Sequence, residues 1–139
     1  MIIHLRLLLS LLLLCVLCSC ANTRHRPHYP PMPPKAVSNY HEVGMASYYS
    51  DDLHHDKTAS GERYNKHAFT CSHRKLPFGT KLRVTNLSNN RSVIVTVNDR
   101  GPFNKKFLID LSKAAAKKLD FVAKGITKVR VESVSHTKR

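Results

Sequence analysis

The chain has 139 residues, no tryptophan, and a formal net charge of +14 at pH 7. That length suits one small domain with a single modest core and leaves no room for a second of ordinary size. In a soluble cytoplasmic protein so strong a positive charge would point to nucleic acid, but the first twenty residues exclude that setting.

The chain opens with "MIIHLRLLLSLLLLCVLCSC", in which Arg6 precedes an apolar run from Leu7 to Leu17. A run of about eleven residues has the length of a secretory h-region. It falls short of the ~20 residues that a membrane-spanning helix needs. The run ends in "LCSC", which resembles the lipobox of bacterial lipoproteins and makes Cys20 the lipidated residue, with 1–19 as the signal peptide. An ordinary signal peptide closing at Ser19 is the alternative. Ala21 after the cysteine, where an inner-membrane sorting signal would place Asp, favours the outer membrane of a Gram-negative envelope. Cys15 and Cys18 leave with the leader and Cys20 carries lipid, so only Cys71 remains in the exported part and no internal disulfide is expected.

Residues 20–42 follow, with Pro27, Pro30, Pro31, Pro33 and Pro34 and almost no branched apolar residues. Such a segment cannot bury a core and reads as an extended tether. The globular domain is then 43–134, with a basic tail at 135–139. In an envelope, a basic surface suits lipid headgroups, lipopolysaccharide or peptidoglycan carboxylates. A solvated surface with no partner is the plain alternative.

Within the domain, "GMASYYS" (44–50) is β-prone and "DDLHHDKTASGERYNKHAF" is turn-rich loop. "TCSHRKLPFGT" has room for one helical turn that must stop before Pro77. "KLRVTNL" and "RSVIVTVN" alternate and are joined by "SNN", whose asparagines tolerate positive φ in a tight hairpin turn. "FLIDL" is a further short strand. "SKAAAKKL" is the convincing helix, with Ser112 as cap and Lys117 and Lys118 near the C-terminal end of the dipole. "GITKVRVESV" closes the domain with Ile126, Val129, Val131 and Val134, once out of phase. Short strands and a single helix predict a mainly β domain, a small barrel.

Four blocks carry a resemblance: "ASGERY", "HRKLPFGT", "VNDRGPF" and "IDLS". In this order, and with the lipobox and Pro-rich tether ahead of them, they resemble the rare lipoprotein A (RlpA-like) family. The resemblance implies a six-stranded double-psi β-barrel with one short α-helix over 43–134. It further implies a lytic transglycosylase that cleaves between N-acetylmuramic acid and N-acetylglucosamine of peptidoglycan and leaves 1,6-anhydro ends. Longer relatives carry a C-terminal peptidoglycan-binding repeat domain. None is seen here, so septal targeting is not expected. Cys71 stands where relatives carry a small residue, and as a small hydrophobe it is expected in the core. The other class of function is a non-catalytic, expansin-like barrel that holds glycan in the same groove.

In that chemistry one carboxyl group can protonate the leaving oxygen and then take the proton of the attacking 6-hydroxyl. Ordinary glycosidases instead use two carboxylates at a set separation. Asp99 ends the "SVIVTV" strand at a Gly-Pro turn and matches the catalytic position; bonding to its own turn is the competing use. The resemblance gives His73 and Glu62 as the other catalytic residues, His73 adjusting the acid or touching substrate, Glu62 supporting positive charge. Each has a loop-bracing alternative. Arg100, Tyr48 and Tyr64 are candidates for substrate binding, or for ordinary surface and packing roles. "LHHD" (53–56) lacks partners at metal-ligand spacing, so no metal and no cofactor is expected. The partners expected are glycan strands and, through Cys20, a membrane; nucleic acid is not, and the protein is expected to be a monomer.

Overall fold

A computed structural model describes residues 39–134. The signal peptide, Cys20, most of the Pro-rich segment and the basic tail lie outside the described residues. Six strands form the domain: β1 (His41–Tyr48), β2 (Thr70–Ser72), β3 (Lys81–Asn86), β4 (Ser92–Asp99), β5 (Phe107–Leu111) and β6 (Thr127–Ser133). They close into a barrel in the order β1-β5-β2-β4-β3-β6. β1 with β5 and β2 with β4 are parallel pairs, and the remaining four pairings are antiparallel. The mainly β, six-stranded fold with one short helix is the one expected.

Alternation explains the interior. Leu82 and Val84, Val93, Val95 and Val97, Ile109 and Leu111, and Val129 and Val131 are all buried, as period-two strands with one face inward require. Cys71 is fully buried among them, and burial pushes its thiol well above the ordinary range, which fits a small hydrophobe. The helix α1 (Lys113–Lys118) follows β5 directly; Ser112 accepts from the Ala115 amide, and Ala115, Ala116 and Leu119 seal one end of the core.

Three local expectations change. "TCSHRKLPFGT" supplies β2 and not a helical turn, because Thr70–Ser72 are claimed on both sides by β4 and β5. β1 begins at His41, two residues ahead of the expected boundary, since His41 and Glu42 pair with β6. Ile126 lies outside the core, exposed just before β6, whose inward residues are Thr127, Val129 and Val131. The "SNN" hairpin turn does carry positive φ, at Asn90 (59°).

The ladder is irregular in two places. Cys71 pairs with Val97 but Ser72 pairs with Asp99, so Asn98 is an extra residue in β4. Met45 pairs with Phe107 but Ala46 pairs with Ile109, so Leu108 is extra in β5. Such bulges re-aim the side chains beyond them. Gly44 answers the second one, since a Cβ there would lie 2.7 Å from that of Leu108.

Candidate functional site

After the two bulges, Asp99 of β4, Ser72 of β2, Asp110 of β5 and Ser47 of β1 fall on one rung across four neighbouring strands. Ser72 and Asp110 follow or precede core residues by one position, so this rung faces away from the core. Beyond Asp99 the chain turns sharply, with Gly101 at φ 134°, a backbone conformation that favours glycine.

Asp99 sits half-buried and accepts three hydrogen bonds. Oδ1 takes the amides of Ala59 and Arg100, each at 2.8 Å, and Oδ2 takes the Tyr49 hydroxyl at 2.9 Å. The Arg100 bond is the local turn chemistry that the sequence allowed. The other two come from distant segments: the loop before β2 and the residue just after β1, whose amide extends the β1–β5 ladder to Leu111.

Behind Asp99 lies a second carboxyl. Asp110 accepts from Ser47 Oγ and from Ser72 Oγ, the latter at 3.4 Å. Burial pushes Asp110 above the usual carboxyl range; the serine hydroxyls pull it back, and the charge of Asp99 pushes the same way as burial. Burial likewise pushes the Tyr49 hydroxyl up, with Ser72 opposing and Asp99 adding to it. The two carboxyl groups thus flank Ser72 on one rung, and their surroundings differ. A cleft of about 160 Å³ opens on this arrangement, lined by Tyr49, Tyr64, Leu53, Thr58 and Asp99 among others.

Glu62 is exposed on the same edge. Its Oε2 accepts from Asn98 Nδ2 at 2.9 Å, while Thr58 donates twice to its carbonyl and the Ser60 amide donates to the Asn98 carbonyl. One loop therefore delivers both the Ala59 amide and the Glu62 carboxylate to the end of β4.

Of the remaining candidates, Tyr64 alone also lines the cleft. His73 meets Asp99 only through backbone, its amide donating to the Asp99 carbonyl at 3.1 Å. The side-chain bond between His73 and Asp99 is not made, because the imidazole turns toward Tyr40 and the amides of Lys75 and Leu76. Arg100 folds back onto the carbonyls of His73 and Leu76 and stacks 3.7 Å above the Phe78 ring. Tyr48 points away: its hydroxyl donates to the Val122 carbonyl and its ring meets Phe121 edge-on. Tyr64 is buried with its ring 4.9 Å from that of Tyr49, which it buttresses.

Sequence reasoning missed Tyr49 and Asp110. The first is one residue from Tyr48, and alternation separates their faces. The second was visible as the single acid inside "FLIDL", but only the register says what lies beside it.

Residues 41–131 match the family model described as "Lytic transglycolase". The chain is 49% identical over 98 residues to the endolytic peptidoglycan transglycosylase RlpA of Neisseria meningitidis, a match covering 70% of this chain and 41% of that protein. It is 52% identical over 91 residues to the RlpA of Campylobacter jejuni, covering 66% and 33% respectively. The chain thus spans well under half the length of these curated relatives. Among solved structures, the Streptomyces papain inhibitor aligns with a TM-score of 0.58 at 22% identity, over 73% of this chain and 100% of that one. A Clavibacter michiganensis expansin in complex with cellohexaose aligns with a TM-score of 0.58 at 19% identity, over 72% and 53%. These two show a shared fold. By its sequence match and its closed six-stranded barrel, the chain belongs to the RlpA-like lytic transglycolase family of double-psi β-barrels.

Proposed function

We propose that this domain cleaves the glycan of peptidoglycan as a lytic transglycosylase, with Asp99 as the acid and base. The observation that carries the reading is Asp99, fixed by three donors at the end of β4 and opening on a cleft that Tyr49 and Tyr64 also line. A carboxyl group fixed in direction and open to the cleft can give a proton and take one back.

The steps balance without water. The reaction starts from Asp99 in its protonated form. Asp99 protonates the glycosidic oxygen as the bond to the anomeric carbon breaks. The 6-hydroxyl of the same muramic acid then attacks that carbon, and Asp99 takes its proton. The ring closes as a 1,6-anhydro sugar and Asp99 regains the proton it gave. Glu62, whose Oε2 is held by Asn98, presents its exposed carboxylate to the positive charge that develops on the sugar.

The relatives named for this activity support the reading. We also propose that the domain is carried on a lipid at Cys20, through the tether, facing the periplasm. The support is the "LCSC" spacing after a leader-length apolar run.

The test is digestion of purified sacculi by the purified protein, with products identified by mass. The expected products end in 1,6-anhydromuramic acid, about one water lighter than hydrolytic ends. Co-sedimentation with sacculi and no such ends would leave a glycan-binding barrel and overturn the enzyme. For the anchor, Cys20→Ser should abolish fatty-acid labelling and release the protein from membranes; unchanged labelling would overturn it.

A further inference from the structure

His73 is 6% exposed at the end of β2, and both of its ring nitrogens are engaged. Nδ1 lies 3.0 Å from the Leu76 amide and 3.2 Å from the Lys75 amide. An amide N–H only donates, so Nδ1 must offer its lone pair and the proton sits on Nε2. Nε2 lies 3.0 Å from the Tyr40 hydroxyl, which in turn donates to Glu42 at 2.7 Å. Donation therefore runs one way, from His73 to Tyr40 to Glu42.

The turn closed by Nδ1 has its own cargo. Its carbonyls at His73 and Leu76 accept from one Arg100 nitrogen at 3.2 and 2.9 Å, and Phe78 backs the same guanidinium. The His73 amide holds the carbonyl of Asp99. A single turn thus grips both residues at the end of β4.

We infer that His73 is a positioning residue that works as a neutral hydrogen-bond acceptor, closing the 73–76 turn so that the turn fixes Arg100 and aims Asp99. It neither gives nor takes a proton in the reaction. The inference rests on the proposed function for its kinetic consequence, though not for its geometry. The charges around the ring agree with it. Burial disfavours the imidazolium, Arg74, Arg100 and Lys75 disfavour it too, and Glu42 alone opposes them.

The geometry separates two substitutions. The side-chain oxygen of Asn stands about where Nδ1 stands and can accept from amides two and three residues on, a habitual use of Asn in turns. Gln reaches toward Tyr40 but leaves the turn amides without that acceptor. His73→Asn should restore most of the kcat that His73→Ala loses. His73→Gln should stay low, by on the order of 10², the cost of displacing a reacting group by about 1 Å. KM should move little in all three. If Asn is as inactive as Ala while melting like the wild type, His73 transfers a proton or touches substrate and the inference is wrong.

A second readout stands without activity. Nitrogen NMR of the wild-type protein should show His73 Nδ1 unprotonated at neutral pH. The Arg100 guanidinium should be slowed in the wild type and in Asn, but averaged in Gln. If the wild type releases no anhydro ends, the proposed function fails while these spectra still decide the turn. A protonated Nδ1, or an Arg100 signal indifferent to residue 73, would overturn the inference on its own.

Discussion

Two polar clusters are built into this barrel, one around Asn86 and one around Asp99, and they differ in what they can move. Asn86 is 0% exposed at the end of β3. Its Nδ2 donates to the Leu119 carbonyl at 2.9 Å, and its Oδ1 accepts from Thr127 Oγ1 and from the amide and hydroxyl of Ser88. Every partner is neutral and the cluster is closed, tying the helix end and β6 to the β3–β4 turn. The Asp99 rung also joins distant strands, but it contains two carboxyls, two serines and a tyrosine, and it opens on a cleft. A neutral cluster can only hold the fold. One that carries carboxyl groups and opens on a cleft holds the fold and can also give and take a proton.

The largest difference between the clusters is expected when a carboxyl is removed and its shape kept. Asp99→Asn can still accept from Ala59 and Tyr49 but cannot transfer a proton. Release of anhydro ends should fall by on the order of 10²–10⁴, with little change in melting temperature by calorimetry. A large loss of stability with a matching loss of activity would put Asp99 in the same class as Asn86.

Asn86→Ala should behave in the opposite way. It strands the Thr127 hydroxyl and the Ser88 amide, at about 1–3 kcal/mol for such groups. Denaturant unfolding should show that loss, and kcat measured well below the melting transition should be nearly unchanged.

The adjacent tyrosines give the same contrast on a smaller scale. Tyr49→Phe removes the hydroxyl that donates to Asp99 and should lower kcat about tenfold or more, near 1.4 kcal/mol in the barrier. Tyr48→Phe removes only the bond to Val122, about 1 kcal/mol of stability, with kcat intact. Equal effects on kcat would show that the Tyr49 bond to Asp99 plays no part in the reaction.

The barrel was legible where alternation was long. β3, β4 and β6 read directly from "KLRVTN", "SVIVTV" and "TKVRV", and Ser112 with three alanines marked the helix. β2 was not legible, because three residues carry no period and their strand character comes from neighbours on both sides. Asp99 stood out because a strand ends in an acid at a Gly-Pro turn. Asp110 did not, since its meaning depends on the bulge that sets it beside Ser47 and on the β2–β5 register that sets it beside Ser72. His73 was visible as a polar residue in a short block. Its partner Tyr40 lies 33 residues away, and no local pattern links them.

If Asp99 and Asp110 act as a coupled pair of carboxyls, carboxyl-carbon NMR titration of both residues will show it. Burial and the Asp99 charge raise Asp110 in the folded state above its ordinary 3.8. The folded protein therefore binds this proton more tightly than the unfolded chain. The resulting stability is complete below 3.8 and is lost as pH rises through the folded value. Asp110 should titrate above the ordinary range in the wild type, and lower in Asp99→Asn, where the neighbouring charge is gone. An Asp110 that titrates at its ordinary value, or that ignores Asp99→Asn, would contradict the coupling of the two carboxyls.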